Sequence, residues 1–169
     1  MDPTQELVRE LFDYAPLIGH LIWRRRRGEG VATKRWNSCH AGRRAGGVDS
    51  RGYRKVRVFG RFYWEHRVIY LWMTGAWPAA EVHHRDGDRG NNAWWNIRPA
   101  TRAENLANRR GWGRSGVRGV QLAGGKYYAV GWRGGRRYYL GKFGAIEDAT
   151  AAYDRFAREH HGEFYRAPK

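Results

Sequence analysis

Residues 81–110 read EVHHRDGDRGNNAWWNIRPATRAENLANRR. Val82 and the adjacent His83 and His84 read as a short strand. The Asp86–Asn92 stretch is rich in Asp, Gly and Asn, whose side chains and backbone freedom favour a turn. AWWNIRP is the expected return strand. TRAENLANRR follows as a helix, with Thr101 as N-cap and Glu104 three residues on, the reciprocal pattern of a capping box. The segment is therefore expected to fold as strand, loop, strand, helix. Asp86, Asp88, Asn91 and Asn92 are expected to hydrogen-bond the loop backbone rather than bind metal.

The surrounding chain is strongly basic. Its 169 residues hold 32 Lys and Arg against 16 Asp and Glu, a formal charge of +16. That balance points to a polyanionic partner, and nucleic acid is the leading class. Nine tryptophans and 15% aromatic residues supply enough apolar area for folded cores. The lone cysteine, Cys39, excludes an internal disulfide framework and a Cys-rich zinc site. A reducing, intracellular setting is expected. No secretory signal opens the chain, and no apolar run reaches membrane-spanning length, so no membrane partner is expected.

Cutting a phosphodiester needs a base to activate water, a cation at the phosphorus and help for the leaving oxygen. A ββα unit can supply these from a strand and a facing helix. His84 is the candidate general base, because imidazole titrates near neutral pH. His83 and Asn105 are candidate ligands for one divalent ion, and Asn96 is the candidate that orients His84. Arg102, Asn105 and Arg109 share one helix face, which suits a site that receives phosphate. Neighbouring strand residues point to opposite faces, so His83 and His84 need a twisted or bulged strand end to converge. The other histidines, His20, His40, His66, His160 and His161, are expected to be structural.

The combination HHRDGDRGNN, NIR and TRAEN resembles the HNH endonuclease family, in its H-N-N variant of the phage and intron-encoded homing type. The resemblance covers roughly residues 5–110. It implies that His84 is the general base, His83 and Asn105 bind the metal, and Asn96 orients the base. At His83 that family often has Asp, so this chain lacks an anionic metal ligand there. Mg²⁺ is the expected ion, with Mn²⁺ or other transition ions possible through imidazole. Binding is expected to be weak until a DNA phosphate adds charge. The resemblance also implies hydrolysis to a 5′-phosphate and a 3′-hydroxyl. One such site per chain is expected to nick double-stranded DNA unless chains pair, and monomer and weak dimer both stay open. The expected setting is the cytoplasm of a bacterial host if phage-encoded.

Upstream, residues 4–12 read as an amphipathic helix and HLIW begins a strand. Residues 24–52 read as largely loop. GYRKVRVFGRFYWEHR reads as a hairpin turning at Phe-Gly, and HRVIYLWMTGAWP as a helix stopped by Gly75 and Pro78. Downstream of the Gly/Arg linker, VRGVQL, KYYAVGW and RRYYLGKF read as three strands, and AIEDATAAYDRFAREHHG as a helix with Ala149, Ala152, Tyr153 and Phe156 on its apolar stripe. Ala129 and Gly131 would let that helix approach, leaving Tyr128 and Trp132 outward beside Arg118, Arg137 and Tyr139.

VRGV, YYLGKF and EDATAAYDRFA are similar to the APETALA2/ethylene-response-factor DNA-binding domain. The similarity implies DNA contacts at Arg118, Gly119, Gln121, Val130, Trp132, Arg137 and Tyr139. Gln121 and Trp132 replace usual arginines, and Val130 a usual acidic residue, so base preference does not carry over. The alternative is an aromatic-rich sheet packed against the first domain. The expected fold is α+β: a ββα-metal nuclease domain over 1–110 with its core at about 80–110, a linker at 111–115, and a three-stranded antiparallel sheet packed on one helix over 116–169. The expected function is a metal-dependent DNA endonuclease with one divalent ion. The competing reading is a non-catalytic DNA-binding transcriptional regulator.

Overall fold

The computed structural model describes residues 2–101, 104 and 114–165. The chain divides into two compact units, Met1–Ala100 and Thr101–Lys169. Among the described residues no helix is long and apolar enough to cross a membrane.

The first unit begins with α1 (Gln5–Leu11), capped by the Thr4 hydroxyl, which accepts from the Leu7 amide. Strands β1 (Phe12–Ala15) and β2 (His20–Trp23) pair antiparallel. A second sheet orders β3 (Gly47–Val48), β4 (Arg54–Val58) and β5 (Arg61–Trp64) side by side. The β4–β5 hairpin turns at Phe59-Gly60, as its sequence implies. Helix α3 (Glu65–Thr74) ends where it should: Gly75 adopts φ 83° and donates to the Leu71 carbonyl. β6 (Glu81–His84) and β7 (Ile97–Ala100) form the last two-stranded sheet of this unit.

Val8, Phe12, Leu21, Val56, Val68 and Ile69 are fully buried together. Trp72 ties the pieces: its carbonyl accepts from Gln5 and Arg9, and its indole N–H donates to the Phe12 carbonyl. The N-terminal helix is thus part of the same core as the helix that precedes the His83–His84 strand.

The stretch expected to be loop contains a helix, α2 (Val31–His40). Its apolar signal is weak, because Asn37 is its one buried residue. Asn37 binds the Arg26 backbone in both directions, accepting from the amide at 2.8 Å and donating to the carbonyl at 3.0 Å. Trp36 meets Trp23 edge-on and takes the Arg26 guanidinium over its face. The helix is held by one amide and one aromatic ring rather than by a stripe, and so leaves no helical period in the sequence.

In the second unit, β8 (Val120–Ala123), β9 (Lys126–Arg133) and β10 (Arg136–Phe143) form an antiparallel meander, ordered β10-β9-β8. Helix α4 (Ile146–His161) packs on it through Ala149, Ala152, Tyr153 and Phe156, the stripe read from the sequence, together with Ala157. Ala129 is fully buried, and a Cβ at Gly131 would lie 2.2 Å from the Phe156 ring. The small residues therefore let the helix come close. Thr101 and Glu104 form the expected capping box: the Thr101 amide donates to the Glu104 carboxylate at 2.6 Å, and the Glu104 amide to the Thr101 hydroxyl at 3.3 Å.

The turn between β1 and β2 holds a close approach that matters for the site. Gly19 has φ 72°, and a Cβ there would stand 2.1 Å from the Ala93 nitrogen and 2.2 Å from the Asn92 carbonyl carbon. Gly19→Ala is expected to destabilise the chain by about 2–5 kcal/mol, combining left-handed strain and backbone overpacking. Urea unfolding of parent and variant measures it.

Candidate active site

The loop between β6 and β7 is built by its own side chains. Asp86 accepts from the Asp88 amide at 2.8 Å and from the Asn91 side chain at 2.6 Å, and Asp88 accepts from the Gly90 amide at 2.8 Å. Gly87, at φ 73°, lets the chain reverse. Asn96, fully buried, closes the loop. Its side-chain nitrogen donates to the Asp86 carboxylate at 2.9 Å and the Asn91 carbonyl at 2.7 Å, and its oxygen accepts from the Asp86 amide at 3.0 Å. Burial pushes the Asp86 carboxyl up, but hydrogen bonds from Asn91, Asn96 and the Asp88 amide outweigh it and hold it below the usual carboxylate range.

Both donor hydrogens of the Asn96 amide are thus spent on the loop. The imidazole of His84 is held instead by Asn92, whose Oδ1 lies 2.8 Å from Nε2. The contact expected of Asn96 is thus made by Asn92, whose side chain meets His84 and Glu65 rather than the loop backbone. Residues 94–96 wind into a 3-10 turn before β7, rather than starting the return strand. That turn swings Asn96 under the loop.

His84 is 5% exposed. Its ring meets His66 edge-on at 5.2 Å and lies 6.1 Å from Tyr53. Burial lowers its pKa, against the Asn92 bond and the charges of Asp86 and Asp88, which raise it. A neutral imidazole with a lone pair is the form a general base requires. His66 is buried as well, its pKa pushed down to about 3 by desolvation and then by His84 and Arg67. It stands as a neutral wall beside His84. The Arg89 guanidinium lies over the other wall, Tyr53, at 4.8 Å, and donates to the Arg51 carbonyl.

Behind Asn92 sits a carboxylate that the sequence did not mark. Glu65 is fully buried and accepts from the Asn92 side chain at 2.9 Å and from the Leu21 amide at 3.4 Å. Arg54 Nε lies 2.8 Å from it and Arg44 3.8 Å. Burial pushes the Glu65 carboxyl up, while the two guanidiniums and two hydrogen bonds oppose that.

His83 is buried at 6% exposure opposite Arg98. The β6–β7 register runs through both histidines with no shift, so no bulge interrupts the strand there, and a shared site for the two side chains would need twist at the strand end. Asn105, Arg102 and Arg109 lie outside the described residues. Among the described residues no three His, Cys, Asp or Glu side chains gather to hold a metal ion. Asp86, two residues beyond His84, already accepts three hydrogen bonds.

On the second unit's sheet, Arg137 pairs with Trp132, Tyr139 with Val130, and Tyr128 with Gln121 and Lys142; Val130, expected to contact DNA, is buried at 3% exposure. Trp132 is 59% and Tyr139 64% exposed. Arg118 does not share that face as expected. β8 begins at Val120, so Arg118 sits in the preceding turn, half-buried, with its guanidinium 6.0 Å from the Tyr153 ring.

Residues 63–107 match the family described as HNH endonuclease. This span runs from β5 through α3, β6 and β7, and includes Glu65, His84, Asn92 and Asn96. It makes the chain a nuclease, a hydrolase of phosphodiester bonds, with DNA as its substrate; HNH nucleases generally use a divalent metal ion. No curated protein and no solved structure matches the chain.

The loop supplies its own test. Asn96→Ala is expected to cost about 1–3 kcal/mol, the loss of buried hydrogen bonds. The gap from the parent should narrow as pH falls through the lowered Asp86 pKa, because the charged carboxylate is the form that Asn96 stabilises. Urea unfolding of both proteins at pH 7 and in acid checks the magnitude and the sign.

Proposed function

We propose that the chain is a metal-dependent endonuclease of the homing type that nicks double-stranded DNA at preferred sites. The observation that supports this best is the buried imidazole of His84, held at Nε2 by Asn92 within the matched segment. In this reading His84 removes a proton from the attacking water. Arg89 and Arg51, against the Tyr53 wall, draw the DNA backbone toward the imidazole. Asn96 keeps the loop in shape.

The divalent ion supplies charge neutralisation at the phosphate when bound. His83 offers one nitrogen donor, and Asn105 is the second ligand that the sequence suggests. Two neutral ligands fit an open site completed by phosphate and water rather than a closed protein cage. Mg²⁺ is the proposed ion, and its hold on the free protein is expected to be weak for that reason.

The second unit is proposed to read DNA in the manner of the APETALA2-like domains it resembles. Its outward sheet face presents Gln121, Trp132, Arg137 and Tyr139, a mixture of cation, aromatic rings and amide suited to base edges and phosphates. Arg118, turned toward α4, is better suited to supporting the β8 turn than to touching bases.

Supercoiled plasmid incubated with the full chain and Mg²⁺ should be converted to the open-circular form, and neither His84→Ala nor the parent with a chelator should do so. Absence of cleavage across Mg²⁺ and Mn²⁺ and several DNAs would favour the non-catalytic regulator instead. A second experiment addresses the sheet. Arg137→Ala should lower DNA affinity and reduce the slope of log affinity against log salt by about 1, one phosphate contact. An unchanged slope would remove Arg137 from the interface.

A further inference from the structure

We propose that Glu65 and Asn92 are positioning residues that fix the tautomer of His84, so that its lone pair stays on Nδ1. The inference rests on the reading of His84 as the general base and adds two residues behind it.

The direction of each bond follows from the one before. Glu65 Oε2 is ion-paired with the Arg54 guanidinium at 2.8 Å, and a carboxylate oxygen only accepts. The Asn92 atom 2.9 Å from that same oxygen must therefore be the NH₂. The amide oxygen is then turned to His84 Nε2 at 2.8 Å. An amide oxygen only accepts, so Nε2 carries the hydrogen. A neutral imidazole has one N–H, and the lone pair is left on Nδ1. Were the amide flipped, its NH₂ would face Nε2 and draw the lone pair there, and the base would spend its basicity on Asn92.

Nothing in this relay is loose. Asn92 and Glu65 are both fully buried. The Asn92 carbonyl accepts from the Tyr14 hydroxyl at 2.9 Å, and Gly19 packs against its backbone. Glu65 is the first residue of α3, and its other oxygen accepts from Leu21 on β2. The next residue, His66, is the ring that stands edge-on to His84. One helix start therefore sets both the amide and a wall of the imidazole's cage. Groups that orient a functional imidazole through its second nitrogen affect activity without touching substrate.

The direct test is a long-range ¹H–¹⁵N correlation spectrum of the full chain labelled with ¹⁵N-histidine, metal-free and at neutral pH. The His84 signal is assigned by its loss in His84→Ala. The expected pattern is protonated Nε2 with unprotonated Nδ1. A protonated Nδ1, or an even mixture of tautomers, overturns the proposal, whether or not any variant folds. Asn92→Ala is expected to lose the fixed tautomer and to lower kcat for plasmid nicking by roughly 10- to 100-fold, with KM unchanged. A folded Asn92→Ala protein with parental kcat, beside an inactive His84→Ala, would sink the positioning role alone. Parental nicking by His84→Ala would instead sink the reading of His84 as base.

Discussion

A buried carboxylate with cationic and amide partners is the constraint on which the first unit turns. Glu65 sits at the start of α3, and its oxygens meet Arg54 from β4, Leu21 from β2 and Asn92 from the loop before β7. Helix, two sheets and the β6–β7 loop are joined at one side chain. An ion pair this deep gains little over apolar packing, and removing one partner of such a pair typically costs about 3–5 kcal/mol. Its value lies in specifying geometry. Each element that meets Glu65 is held in register with the others, and the last of them holds His84.

The two amides near His84 divide the labour. Asn96 belongs to the loop: it replaces strand pairing where the chain turns through Asp86–Asn91, and it keeps Asp86 ionised and occupied. That occupation bears on the metal, since the carboxylate two residues beyond His84 is already satisfied. Asn92 belongs to the imidazole. Burial lowers the pKa of His84 and of its neighbour His66, so two uncharged rings face each other where two imidazolium ions would repel.

Local signals in the sequence were read where a local cause acts. The Phe59-Gly60 hairpin, the Gly75 stop of α3, the Thr101–Glu104 capping box and the apolar stripe of α4 each depend on residues close together along the chain. The His83–His84 pair and its spaced asparagines led to the nuclease class for the same reason. What escaped depends on distant contact. α2 is held by Asn37 and Trp36 against the arginine run, with almost no apolar period to detect. Glu65 reads as an ordinary acidic residue at a helix start until the fold brings Arg54 and Asn92 to it. Asn92 and Asn96 are both asparagines near one histidine, and only the 3-10 turn at 94–96 decides which of them faces the ring. Arg118 precedes its strand rather than lying in it: the strand starts three residues after Val117, which places the Arg118 guanidinium by the helix instead of on the sheet face.

The claim at the centre is that His84 offers the nitrogen opposite Asn92 to the water that attacks DNA. A crystal structure of the full chain bound to an uncleaved duplex would show which ring nitrogen faces the scissile phosphate. Nδ1 should face a water in line with phosphorus, with Nε2 still on Asn92. A ring turned so that Nε2 meets the DNA, or a phosphate bound far from His84, would contradict it.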